Sequence, residues 1–144
     1  MKIVHFFAMI FAFLVFQANA QTGAHIKFEK LVHDFGQLTQ GDPATVEFKF
    51  SNTGDAPLLL TNVRSSCGCT IPTWPHDEIA PGKSGSITVK YDSNRVGLIN
   101  KQVTVESNAV NNSVILKISG EIKKKPEEVM PFQNFDNNGT PFVQ

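Results

Sequence analysis

Apolar residues recur at every second position through most of the stretch from Ile26 to Ile122, and this alternation constrains the chain more than any other feature. Val46, Phe48 and Phe50 alternate with Thr45, Glu47 and Lys49. Ile87, Val89 and Tyr91 alternate with Ser86, Thr88 and Lys90, and Val103 and Val105 with Gln102, Thr104 and Glu106. Val114, Leu116, Ile118 and Ile122 continue the pattern. Successive side chains of a strand point to opposite faces, so each run has one apolar and one wet face, as antiparallel sheets with one solvated side require. No stretch beyond the first twenty residues has helical periodicity.

Turn signals separate the runs: Gln40-Gly41-Asp42-Pro43, Asn52-Thr53-Gly54-Asp55, Ala80-Pro81-Gly82-Lys83 and Asn108 to Asn112. The expected strands are Ile26 to Lys30, continuing near His33 to Leu38, then Ala44 to Ser51, Pro57 to Arg64, Gly85 to Tyr91, Lys101 to Ser107 and Ser113 to Ile122. About seven short antiparallel strands in roughly 100 residues predict an all-β fold, an immunoglobulin-like β-sandwich, with a small barrel as the alternative. The two cysteines lie too close together to bridge two sheets as in antibody domains.

The ends differ from this middle. Met1-Lys2, an apolar run from Ile3 to Phe16 and the Ala18-Asn19-Ala20 ending describe a cleavable secretory signal over residues 1–20. That run is shorter than a membrane span. The domain is expected over 21–122, and 123–144, with three prolines and scattered Phe132, Phe135 and Phe142, reads as a flexible tail. Thirteen basic residues balance thirteen acidic ones. A near-neutral chain lacks the clustered cations that nucleic acid requires. The expected setting is the periplasm or the cell surface, where two cysteines meet an oxidising environment.

Several motifs resemble the bacterial domain of unknown function fifteen seventy-three, a family common in exported proteins of Bacteroidetes. They are His33-Asp34-Phe35-Gly36, Phe48 to Gly54, Ser66-Cys67-Gly68-Cys69-Thr70, Trp74-Pro75 and Ile79-Ala80-Pro81-Gly82. Tyr91-Asp92-Ser93, Arg95, Gly97 and Ser107-Asn108-Ala109 continue the resemblance. Glu78 departs from it, standing where the family often has proline. The resemblance implies an immunoglobulin-like fold akin to pilus chaperones and Hydin-type repeats, whose members mostly bind other proteins. It implies no established activity.

Chemistry is concentrated in Cys67-Gly68-Cys69. On a straight strand the two Cα atoms would stand about 6.5 to 7 Å apart, at the limit for a disulfide, and Gly68 allows the backbone to fold closer. A bridge there closes three residues and is worth roughly 1.6 kcal/mol in loop entropy, against about 3 for a fifteen-residue loop. Four readings stay open: a structural bridge or buried thiols, a redox pair, a metal site and an intermolecular disulfide. Two thiolates suit copper(I); zinc normally wants four ligands, and only His76, His33 or His25 could join them. No helix N-terminus is at hand to lower a thiol pKa.

The remaining candidates are weaker. His33-Asp34 has no nucleophilic serine to serve, so Asp34 is expected to cap a turn and Phe35 to pack in the core. Trp74, between Pro72 and Pro75, reads as a rigid loop anchor or a sugar platform, and Arg95 as a surface partner of Asp92. Cys67, Cys69, Trp74, His76 and Arg95 are the candidate binding residues, with no catalytic residue, no metal ligand and no cofactor expected. The resulting expectation is an exported, non-enzymatic module that binds another exported protein. A periplasmic thiol protein, with redox or copper chemistry at the cysteines, is the alternative, and a carbohydrate-binding module the third reading.

Overall fold

The computed structural model describes residues 22–127, so the expected signal and all but the start of the expected tail lie outside the described residues. Eight strands make up the fold: β1 Ile26–Phe28, β2 Val32–Thr39, β3 Thr45–Asn52, β4 Leu60–Ser65, β5 Thr70–Thr73, β6 Ser84–Tyr91, β7 Gly97–Ser107 and β8 Ser113–Lys123. They form two four-stranded sheets, in the order β1-β3-β6-β5 and β2-β8-β7-β4. The fold is an immunoglobulin-like β-sandwich. Among the described residues no helix is long and apolar enough to cross a membrane.

The period-two rule is obeyed on the central strands. In β3, Val46, Phe48 and Phe50 are buried while Thr45, Glu47 and Lys49 are exposed, and β6 faces them in register, Phe48 opposite Ile87 and Val46 opposite Val89. The second sheet contributes Val103, Val105, Leu116, Ile118 and Ile122, so two inner faces close one core. Each such side chain removed from water contributes roughly 1.5–3 kcal/mol, which makes this core the main source of stability.

Three departures from the sequence expectations have physical reasons. First, β2 pairs with β8 in parallel, Val32 opposite Lys117 and Thr39 opposite Lys123. The chain leaves β1 in one sheet and enters β2 in the other through a short jog at residues 29–31 rather than a hairpin. Pairing β2 with the last strand needs no tight turn, so direction is free. Second, residues 70–73 form a strand inside what reads as a loop, because Thr70 to Thr73 pair with Tyr91 to Thr88. Pro72 hides this strand from a propensity reading. Ladder alternation, fixed by the Asp92 N–H donating to Cys69 O at 2.8 Å, puts the Pro72 nitrogen on the open side. Edge strands tolerate proline there. Third, the 57–64 run is a strand only from Leu60, Leu58 making an isolated bridge to Ile79, and β7 begins at Gly97.

Asn52, at the end of β3, is fully buried and joins four segments. Its Oδ1 accepts from the N–H groups of His25 (3.3 Å) and Gly54 (3.0 Å). Its Nδ2 donates to the carbonyls of Ala56 (2.7 Å) and Ile79 (3.0 Å). Its backbone N–H donates to Lys83 O and its carbonyl accepts from Gly82, both in the turn before β6. Gly54 is required beside it, since a Cβ there would overlap the Gly23 carbonyl. Asn52→Ala leaves several partners unsatisfied and is expected to lower the unfolding free energy by about 2–4 kcal/mol. Urea unfolding followed by Trp74 fluorescence measures it.

Candidate functional site

The segment from Ser65 to Thr70 carries the chain from β4 in one sheet to β5 in the other. Gly68 is exposed, with nothing within 4 Å of a Cβ built on it, and the backbone turns tightly enough to set the Cys67 and Cys69 Cα atoms 5.3 Å apart. That is shorter than a straight strand allows and within disulfide range. The two sulfurs are joined to each other. In this state neither offers a thiolate to a metal.

The turn has a hydrogen-bond frame independent of the sulfurs. Ser65 Oγ donates to Cys67 O at 2.6 Å and accepts from Cys67 N–H at 3.1 Å. Ser66 N–H donates to Gln102 O, and Gln102 N–H to Ser66 Oγ, at 2.9 and 3.2 Å. On the far side Asp92 N–H holds Cys69 O. Thr70 Oγ1 lies 3.6 Å from Cys67 Sγ and 3.9 Å from Cys69 Sγ; with both sulfurs in the bridge, only the hydroxyl can donate. Cys69 is buried and Cys67 only half-buried. An open cleft of about 610 Å³ adjoins the bridge, lined among others by Gly68, Cys69, Ile71, Lys90, Tyr91 and Asp92.

Of the other candidates, Arg95 falls at the same end of the sandwich. It pairs with Asp92 Oδ2 at 3.5 Å while remaining exposed, so the pair contributes little stability. Trp74 and His76 lie beyond the far end of β5, away from the cysteines, with their rings tilted against each other and the centroids 5.1 Å apart. Trp74 also packs against the core, and its buried Nε1–H has no acceptor among the described residues. Thus the structure groups Cys67, Cys69 and Arg95 and separates Trp74 and His76 from them. Sequence reasoning passed over Thr70, whose hydroxyl is within reach of both sulfurs. Its only signal was its place in the cysteine motif.

His33 and Asp34 do not form a dyad. Asp34 Oδ1 accepts from Gly36 N–H at 2.9 Å, closing the expected turn, and Phe35 packs against the core. His33 lies edge-on to Phe35, centroids 4.6 Å apart, with Lys30 Nζ 3.3 Å from its Nδ1. Desolvation, then the Lys30 charge, lower the His33 pKa below 6.5, against a smaller raising effect of Asp34.

The chain belongs to the DUF1573 family of proteins of unknown function, whose model matches residues 26–122. No curated protein matches it. Among solved structures it is similar to a protein of unknown function from Porphyromonas gingivalis W83, with 23% identity and a TM-score of 0.61 over 76% of this chain. The chain spans about half (50%) of that relative's length. It is also similar to the ASH/PapD-like domain 7 of human CEP192, with 8% identity and a TM-score of 0.60, covering 70% of this chain and 87% of that one. A third similarity, to the secreted serine protease VesC of Vibrio cholerae, has 16% identity and a TM-score of 0.51 over 81% of this chain but 27% of the other. At these identities the likenesses establish the fold.

Two measurable consequences follow from the site. Because the bridge closes three residues on a turn held by other bonds, Cys67→Ser/Cys69→Ser is expected to remain folded and lose roughly 1.6 kcal/mol or less in chemical denaturation. Because the folded His33 pKa is depressed, the unfolded chain binds the proton more readily. His33 therefore lowers stability as pH falls below about 6.5, and the loss levels off below the folded pKa. His33→Gln should flatten this part of the melting temperature against pH.

Proposed function

We propose that this protein is an exported binding module that takes an extended segment of another exported protein along the open edge of β2. The observation that carries the reading is the apolar surface beside that edge. Leu31 and Val32 are 48% and 57% exposed at the start of β2, and Ile115, 48% exposed, lies on the same face of β8, two residues before the Val32 partner Lys117. Aliphatic side chains at wet-face positions next to unpaired backbone groups suit strand addition, in which main-chain hydrogen bonds supply affinity and side-chain contacts specificity.

The edges of β1 and β5 are less open. The outer side of β1 is occupied by Asn111, whose Nδ2 donates to Ile26 O at 2.7 Å and whose Oδ1 accepts from Ile26 N–H at 3.0 Å. Val110 N–H also donates to Ala24 O. Along β5, Pro72 removes an outward donor and Thr70 N–H turns back to Cys67 O. On β2, the Lys117 N–H to Leu31 O bond fixes the ladder so that Val32 and Asp34 direct their backbone groups outward. The bulge between Asp34 and Gln37 limits the free run to this first half. A carbohydrate reading has less support, because Trp74 rests on the core and on His76.

A photo-reactive residue at position 32, activated in the producing cells, tests the reading. The expected outcome is a covalent adduct with one exported protein, reduced about tenfold or more by Ile115→Asp in the same chain. A probe at position 32 that captures no protein, or capture insensitive to Ile115→Asp, overturns it.

A further inference from the structure

We propose that the Cys67–Cys69 bridge is a thiol–disulfide exchange site, at which an incoming thiolate attacks Cys67 and Cys69 is the sulfur released. This goes beyond the binding role and rests on different residues. Three features of the turn carry it.

The first is that the bridge is nearly dispensable for the fold. It spans one intervening residue, so its entropic contribution is about the smallest a disulfide can make. The bonds of Ser65, Ser66, Gln102 and Asp92 hold both flanks of the turn without it. Opening and closing the S–S bond can therefore proceed on a folded protein, which a bridge clamping two sheets would not permit.

The second is asymmetry. Exchange is set by which sulfur an attacking thiolate can reach. Cys69 is 4% exposed and packed in the core cluster, whereas Cys67 is only half-buried beside a Gly68 with open space around it. Attack is thereby directed to Cys67. The third is a donor for the leaving group. The Thr70 hydroxyl, 3.6 and 3.9 Å from the two sulfurs, is placed to donate to the thiolate that forms. Lys90 lines the same cleft as Cys69 and adds positive charge. Asp42 and Asp92 line it too and offset that charge, Asp42 while accepting from Thr39 N–H and Asp92 while accepting from Asn94 N–H and pairing with Arg95, so the Thr70 hydroxyl is the donor on which the step rests.

The substrate class is a polypeptide dithiol, which the exposed turn at Gly68, with open space around it, admits to Cys67. One substrate thiolate bonds to Cys67 Sγ, and the electron pair of the broken S–S bond leaves on Cys69, which takes a proton from solvent. The second substrate thiolate then attacks its own partner's sulfur in the mixed disulfide, and Cys67 leaves as a thiolate. The substrate dithiol is oxidised to a disulfide and the bridge is reduced to two thiols. Exchange with an oxidised low-molecular-weight thiol, such as oxidised glutathione, runs the same steps backwards and restores the bridge.

The test is equilibration of the purified protein in reduced and oxidised glutathione, with alkylation trapping and mass spectrometry. The expected result is one reversible transition between disulfide and dithiol, with circular dichroism unchanged throughout. Cys69→Ser should hold one glutathione on Cys67, and Cys67→Ser should leave Cys69 at least about tenfold slower to alkylate than Cys67 is in Cys69→Ser. Thr70→Val should slow reduction of the bridge severalfold at an unchanged melting temperature. A bridge that excess dithiothreitol cannot open without unfolding the protein, or equal alkylation rates at the two positions, would overturn the proposal. Should a variant fail to fold, the titration of the unaltered protein decides alone.

Discussion

The sandwich depends on the six hydrogen bonds that Asn52 makes at the end of β3. A fully buried amide is costly unless every donor and acceptor is matched, and here the side chain matches four groups and the backbone two. Those partners come from the lead-in to β1, the turn after β3, Ile79 and the turn before β6. One residue thus fixes how three connections leave that end of the first sheet, and the apolar faces above it can close in one register. An aspartate there would lose both donors.

The same economy appears at the edges. A sandwich exposes the outer sides of its edge strands, and each is a template for unwanted pairing. Asn111 occupies β1 with the two groups a neighbouring strand would supply. Pro72 blunts β5 by lacking a donor, and a bulge interrupts β2 halfway. The open first half of β2 is short and bordered by Leu31, Val32 and Ile115, which gives the binding reading its location. The cysteine turn stands apart, braced by serine and backbone bonds that make its sulfur chemistry separable from its fold.

Much of this was legible along the chain. Phe48, Ile87, Val103 and Leu116 announce the inner faces by period alone, because burial on one face of a strand is a local property of sequence. Asp34 closing its own turn and Arg95 meeting Asp92 three residues away are local in the same sense. β5 was not legible: four residues containing proline have no strand signature, and only the partner β6 makes them one. Nor was the parallel direction of β2, since His33 to Leu38 alternates equally well in either orientation. Thr70 gains its interest solely from where the turn of Gly68 puts two sulfurs.

The sequence by itself determined that this chain is an all-β sandwich of the DUF1573 family, because alternation, turn residues and motif spacing are written in neighbouring positions. Only the tertiary structure decided which strand edges are closed, that Cys69 is buried while Cys67 is only half-buried, and that Trp74 stands away from both. Those facts arise between residues far apart in the chain. Asn111 and Ile26 are separated by 85 positions, and Asp92 meets the Cys69 carbonyl across a sheet pairing that no local pattern encodes.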